Sequence, residues 1–303
     1  MPHGRIAVCL TLAIAAGGVL CWSRSAHAQA LDELRSDVRT SVPGEPSVEP
    51  PEKPREERQD GYDDCDDGYC DDDSWPIEGV VGLAALTGMA ITSPFWGPPV
   101  WVGDNYMQSG YFPRFPHQYD HGYMMIGPPE AVGLAGHRQP HAIAIRGRTE
   151  FGTDFADVQW IGGHLLIETS PRWGVESDFR HVREDITQGF DDALWLGDAK
   201  VTFRFAQSPW LVMRTGLGFN YLSDAVGSDF GFNFTYGGDF FPIRPLVVSG
   251  ELDLGTLGHT NVWHVRGTLG ANWGIAEAFL GSDYYDIGPS QISGFVAGVR
   301  LWY

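Results

Sequence analysis

Between residues 141 and 303 apolar and polar side chains alternate with a period of two, strand after strand, and nothing else in the chain restricts its fold so tightly. Ala193, Trp195, Gly197, Ala199, Val201, Phe203 and Phe205 share one face of a strand, and Asp198, Lys200, Thr202 and Arg204 share the other. Phe230, Phe232, Phe234, Tyr236 and Phe240 alternate in the same way with Asn233, Thr235 and Asp239. Trp263, Val265, Leu269 and Trp273 alternate with His264, Arg266, Thr268 and Asn272. One face is aromatic and aliphatic, the other charged. In a soluble sandwich or barrel the apolar face points inward, whereas in a membrane barrel it points outward to lipid.

Two features choose the membrane barrel. Arg5, the apolar run Ile6–Leu20 and the small-residue site Ala26-His27-Ala28 read as a cleaved signal peptide over residues 1–28, which sends the chain to the envelope. The strands are also long enough for a tilted crossing of a bilayer. They fall near residues 142–151, 157–168, 172–182, 192–205, 209–221, 229–241, 245–255, 262–273, 275–285 and 293–303. The fold class is therefore all-β, an antiparallel transmembrane barrel of about ten strands. The segment VQWIGGHLLIET alternates poorly and is expected to hold a bulge, which leaves eight strands open. Turns at Ser170-Pro171, Gln207-Ser208, Pro242-Ile243-Arg244 and Gly274 are tight, whereas 183–191, 222–228, 256–261 and 286–292 read as longer loops. That asymmetry puts the tight turns in the periplasm, and an even strand count puts both termini there. Trp173, Trp210, Trp273 and Tyr303 would form a girdle at that end.

With its exported start, its alternation and its last strand FVAGVRLWY, the chain resembles the small outer-membrane β-barrel proteins, the porin-like and OmpA-like families, over residues 141–303. In those families a terminal aromatic preceded by alternating apolar residues is the signal for the barrel-assembly machinery. The resemblance carries that role to Phe295, Val299, Leu301 and Tyr303. It implies location in the outer membrane, with lipid and the assembly machinery as partners.

The inward face collects Arg146, Arg148, Glu150, Glu176, Asp178, Arg180, Asp198, Lys200, Arg204, Asp239, Glu251, Asp253, Arg266 and Arg300, joined by His264. Acids and bases are near balance. A charge-selecting pore shows rings of one sign, so this lumen is expected to be filled by paired charges. The expected role is structural, or that of a narrow channel. The alternative is an outer-membrane hydrolase of lipid or peptide at the external rim, where Asp191, Asp192, His181 and His259 lie, but no H-x-S or other family motif accompanies them. His164 and His181 read as interface or rim residues. No phosphate loop, zinc motif or nucleophile elbow is present, so no enzyme activity and no cofactor are expected.

Residues 29–76 read as a disordered acidic periplasmic linker, and more than half of the net charge of −19 falls between residues 31 and 73. That charge excludes nucleic acid as a partner, while the tail is a surface for periplasmic proteins. Cys65 and Cys70 remain after signal cleavage and would close a local disulfide. The surrounding Asp block fails the EF-hand pattern, with Cys65 and Ser74 where an acid and a bidentate Glu are needed. Residues 77–140 comprise an apolar stretch to about residue 93, read as a short helix, and a Pro- and aromatic-rich segment. Residues 95–140 are expected to plug or brace the periplasmic mouth.

Overall fold

Ten antiparallel strands close into a barrel in the computed structural model, which describes residues 30–39, 92–105, 108–119, 122–127, 140–184 and 192–303. Two helices and a two-stranded ribbon precede the barrel. These are α1 (Ala30–Arg39), α2 (residues 92–102), β1 (Gly110–Tyr111) and β2 (Met125–Ile126). The barrel strands are β3 (Ile143–Thr153), β4 (Val158–Thr169), β5 (Trp173–Glu184), β6 (Asp192–Gln207) and β7 (Leu211–Ser223). They continue through β8 (Ser228–Phe240), β9 (Leu246–Leu257), β10 (Thr260–Trp273), β11 (Ala276–Ile287) and β12 (Ser290–Trp302). Each pairs with its sequence neighbour, and β12 closes on β3 from Phe295 opposite Thr153 to Trp302 opposite Arg146. Tyr303 exchanges backbone hydrogen bonds with Ile145 at 2.6 and 2.8 Å, so the ladder runs to the last residue. Residues 42–96 form a separate unit, of which only 92–96 are described. The signal peptide, the disulfide pair Cys65 and Cys70, the Asp block and the apolar stretch before residue 92 lie outside the described residues.

The faces are sorted as the alternation requires. Ile161, Leu165, Val201, Leu217, Leu269 and Leu280 are exposed on the outer surface, while Arg148, Glu150, Asp178 and Lys200 are buried inside. Exposed aromatics flank the aliphatic band at both ends. Trp173, Trp273 and Tyr303 stand at one end, and Phe155, Trp195, Phe230 and Trp263 at the other. The expectation had covered only the first of these belts.

Three expectations need correction. The β4 segment carries no bulge, because its pairing with β3 and β5 is unbroken. Gly162 and Gly163 blur the pattern there, and the Phe179 ring covers Gly163 so closely that an added Cβ would lie 2.5 Å from it. The bulge falls instead at Phe205, between Arg204 and Ala206. The two kinds of connection also differ less in length than the sequence suggested. Gly258 and Gly288, both with positive φ, make tight hairpins that carry the strands on to Leu257, Thr260, Ile287 and Ser290. Finally, residues 30–39 are not unstructured, and α1 does not share an end with Tyr303. It packs among Glu184, Asp192, Asp224 and Ser290, at the opposite mouth of the barrel.

The lumen is thus layered. At the α1 mouth Leu31, Leu34 and Val38 are fully buried against inward residues that include Trp160, Leu196, Leu222, Val262 and Val296. At the Tyr303 mouth Phe112, Tyr123 and Met124 pack with Val212, Phe241, Val247 and Trp302. Tyr123 meets the Trp302 ring edge-on at 4.8 Å. The adjoining Gly122 presses on the Pro209 carbonyl, where a Cβ would lie 1.8 Å from the oxygen, so only glycine fits. Asp104 holds Arg172 through both guanidinium nitrogens at 2.7 and 2.8 Å and accepts the Gln207 N–H. The segment after α2 therefore closes this end. Between the two apolar layers lie the charges.

Candidate functional site

The charges form three connected groups on the strand faces that point inward. The first gathers on Asp283 of β11, which accepts from Arg180 of β5 at 3.0 Å and from Arg266 of β10 at 2.5 Å. His264 links Asp283 to Asp253, with its Nε2 at 2.7 Å and its Nδ1 at 2.6 Å from the two carboxylates. The His264 imidazole stacks on the Tyr285 ring at 3.9 Å, and the Arg180 guanidinium covers that ring at 4.5 Å. Arg266 also reaches Glu150 at 2.8 Å, and Arg148 spans Glu150 and Asp178 at 3.0 and 2.5 Å.

The second group surrounds one cation. The Lys200 ammonium has Glu251, Asp253 and Asp198 at 2.8, 3.1 and 3.3 Å, and its side chain is fully buried. Three donors of a compact, rotatable head match three acceptors. Asp253 belongs to both groups and also accepts the Thr235 hydroxyl.

The third lies toward the Tyr303 end. Asp239 accepts from Arg146 at 2.7 Å and Arg214 at 2.8 Å, and Ser249 donates to its second oxygen. Glu176 holds His164 at 2.7 Å and Arg214 at 3.6 Å. Glu277 of β11 receives Arg300 at 2.7 Å and the Trp302 indole N–H at 2.9 Å. Arg204 pairs with Glu168 at 3.1 Å and lies 4.9 Å over the Phe112 ring, joining the charges to the apolar seal.

The structure thus brings every inward residue expected from the sequence into contact with an opposite charge. It adds Arg214, Glu168, Glu277 and Asp283, which lay on the same alternating faces but were not singled out. It also corrects His164, which is buried in the lumen rather than at a rim. His181 is on the outer face, 4.8 Å from the Trp195 ring. Asp192 is taken up by Arg35 of α1, while His259 donates its backbone N–H to Val38 at 3.0 Å. Asp191 lies outside the described residues. Among the described residues no group of His, Cys, Asp and Glu is arranged to hold a metal ion.

A lumen of this kind has a definite chemistry. Opposite charges meet at hydrogen-bond distance on neighbouring and facing strands, so each partner offsets the other's desolvation. The outward residues of the terminal strand, Phe295, Val299, Leu301 and Tyr303, are all exposed on the barrel's outer wall, with Arg300 turned inward between them.

No family profile and no curated relative matches the chain. Among solved structures it is similar to the outer membrane protein Ail of Yersinia pestis in a phospholipid bilayer nanodisc. The two are 12% identical, and the match covers 54% of this chain and all of that one at a TM-score of 0.31. A crystal structure of Ail, the attachment invasion locus protein of the same organism, is also 12% identical, with 53% of this chain and 96% of that one covered at a TM-score of 0.27.

Proposed function

We propose that the protein is an outer-membrane β-barrel with a structural role, closed to solutes along its length. The observation that carries this reading is the inverted sorting of the barrel wall. Large apolar side chains are exposed on nine of its ten strands, aromatic ones stand at both ends, and charged ones are buried inside. In water such a belt would far exceed the apolar patches that soluble monomers tolerate, whereas a bilayer takes it as an ordinary surface. The terminal strand with Phe295, Val299, Leu301 and Tyr303 supports delivery by the barrel-assembly machinery, with membrane lipid as the lasting partner.

The closed reading rests on the three layers of the lumen. An ion or sugar crossing it would have to part Leu34 from its apolar ring, the Asp283 and Lys200 groups, and Tyr123 from Trp302. Catalysis has no part in this role, since the lumen residues are engaged with each other. Planar-bilayer recording and gel migration of the purified protein test the proposal together. Heat-modifiable migration without discrete openings is expected. Discrete openings of the full chain would reject the closed lumen, and a protein that stays monodisperse without detergent would reject the membrane barrel itself.

A further inference from the structure

We propose that the mouth of the barrel around Glu184, Asp192 and Asp224 is a recognition site for a short amphipathic helix that presents two arginines, and that α1 is the ligand it carries in cis, docked reversibly. The lining changes character where α1 sits. In the middle of the lumen the inward positions hold charges, but here they turn aliphatic and aromatic, forming a cup that α1 fills with Leu31, Leu34 and Val38. These three positions follow helical spacing, so they form one stripe.

The rim is complementary to the rest of the helix. Both oxygens of Glu184 accept the first N–H groups of α1, from Ala30 at 2.8 Å and Leu31 at 2.9 Å, as an N-cap supplied from β5. Arg35 grips Asp192 through both guanidinium nitrogens and reaches Asp224 at 2.6 Å. Arg39, one turn on, reaches Asp224 at 2.9 Å and Asp229 at 2.8 Å. The site therefore reads L-x-x-L-R-x-x-V-R, with apolar, basic and N-terminal features recognised by different parts of the mouth.

Reversibility follows from how α1 is held. It joins no strand, and its backbone is hydrogen-bonded to the barrel through Glu184 and His259. Its Arg35 and Arg39 pairs are partly open to solvent. A helix of ten residues is too short to persist in water, so α1 folds as it docks and unfolds as it leaves. The binding site, in contrast, is built on strands whose own ladder of backbone hydrogen bonds does not involve α1.

The test uses the full chain carrying Leu34→Asp, which places a charge in the cup and should eject α1, and a fluorescent synthetic peptide of residues 29–41. In detergent micelles the peptide should bind this variant saturably with one site, and bind the unmodified chain at least tenfold more weakly, because there the cup is occupied. A peptide carrying Leu34→Asp should not bind, and one carrying Arg35→Glu and Arg39→Glu should bind about tenfold more weakly than the native peptide. A folded variant that ignores the native peptide, or equal binding to both chains, would overturn the proposal. The full chain with Arg35→Glu and Arg39→Glu leaves the cup untouched and serves as the second variant. If neither chain shows heat-modifiable migration, α1 is an integral part of the barrel and the proposal falls. Conductance plays no part in these outcomes, so they are independent of the closed-lumen reading.

Discussion

Arg300 donates to Glu277 at 2.7 Å across the two last strands of the chain, and Trp302 donates its indole N–H to the other oxygen of the same carboxylate at 2.9 Å. The final hairpin is thereby fastened on its inner face by a single acid. Glu277→Ala would leave a buried guanidinium without its counter-charge, though still bonded to Ser249 and Thr268, and a buried indole N–H without its acceptor. A loss of about 3–5 kcal/mol is expected. In the double variant Glu277→Ala, Arg300→Leu most of that loss should return, since the uncompensated charge is gone. Unfolding midpoints in guanidinium, followed by tryptophan fluorescence in micelles, measure both.

The outer wall offers a test of the membrane reading. Leu217 lies at the middle of β7 and is exposed, whereas Ile143 stands at the Tyr303 end of β3. In a bilayer Leu217→Arg should cost about 2–4 kcal/mol and Ile143→Arg about 0–1 kcal/mol. Exposed positions of a water-soluble protein would tolerate both alike. Folding titrations into liposomes distinguish the two results.

Deleting Tyr303 removes an outward aromatic and the backbone pair with Ile145 that finishes the closure of β12 on β3. Membrane insertion should fall while the truncated chain is still synthesised. Fractionation of envelope and soluble protein reads the outcome, and normal insertion of the truncation would contradict the assembly role of the terminal strand.

Acid should release α1 only at low pH. Burial works against the Asp224 carboxylate, but hydrogen bonds from Arg39 and from the N–H groups of Gly227 and Val226 outweigh it and hold the carboxyl well below its usual 3.8. Asp192, Asp229 and Glu184 face the same helix, and Arg35 and Arg39 are raised further above their already high values by hydrogen bonds to Asp192 and Asp224. A carboxyl lowered by docking favours the docked state fully above 3.8, and that contribution disappears as pH falls below it. Fluorescence of a probe attached to α1 should therefore be flat between neutral and mildly acid pH and change only below about 4. A transition near pH 6 would point to a histidine instead.

The strands were legible because two long-range requirements wrote themselves into a local pattern. An apolar outer wall and a charged interior force the alternation in Ala193–Phe205 and Trp263–Trp273, and no neighbouring element can relax it. The pattern weakens where the lumen is apolar. In β11 the inward face runs from Glu277 through Phe279 and Asp283 to Tyr285 and Ile287, so acids and aromatics share one side. Asp283, the centre of the first charge group, was hidden there. Gly258 and Gly288 were read as loop residues, although their positive φ lets them turn a strand within two residues. The helix α1 escaped notice for a different reason. Ten residues with three apolar positions state no preference on their own, and the stripe of Leu31, Leu34 and Val38 acquires meaning only against the cup that receives it.

The seam between β12 and β3 also sets an order of events. Nine of the ten strand pairings in the barrel join strands that follow one another in the chain, and each needs only its own hairpin. The tenth brings Phe295 to Thr153 and Trp302 to Arg146, so it waits until every strand between them has been made. That makes the last strand the clock of the assembly as well as its latch.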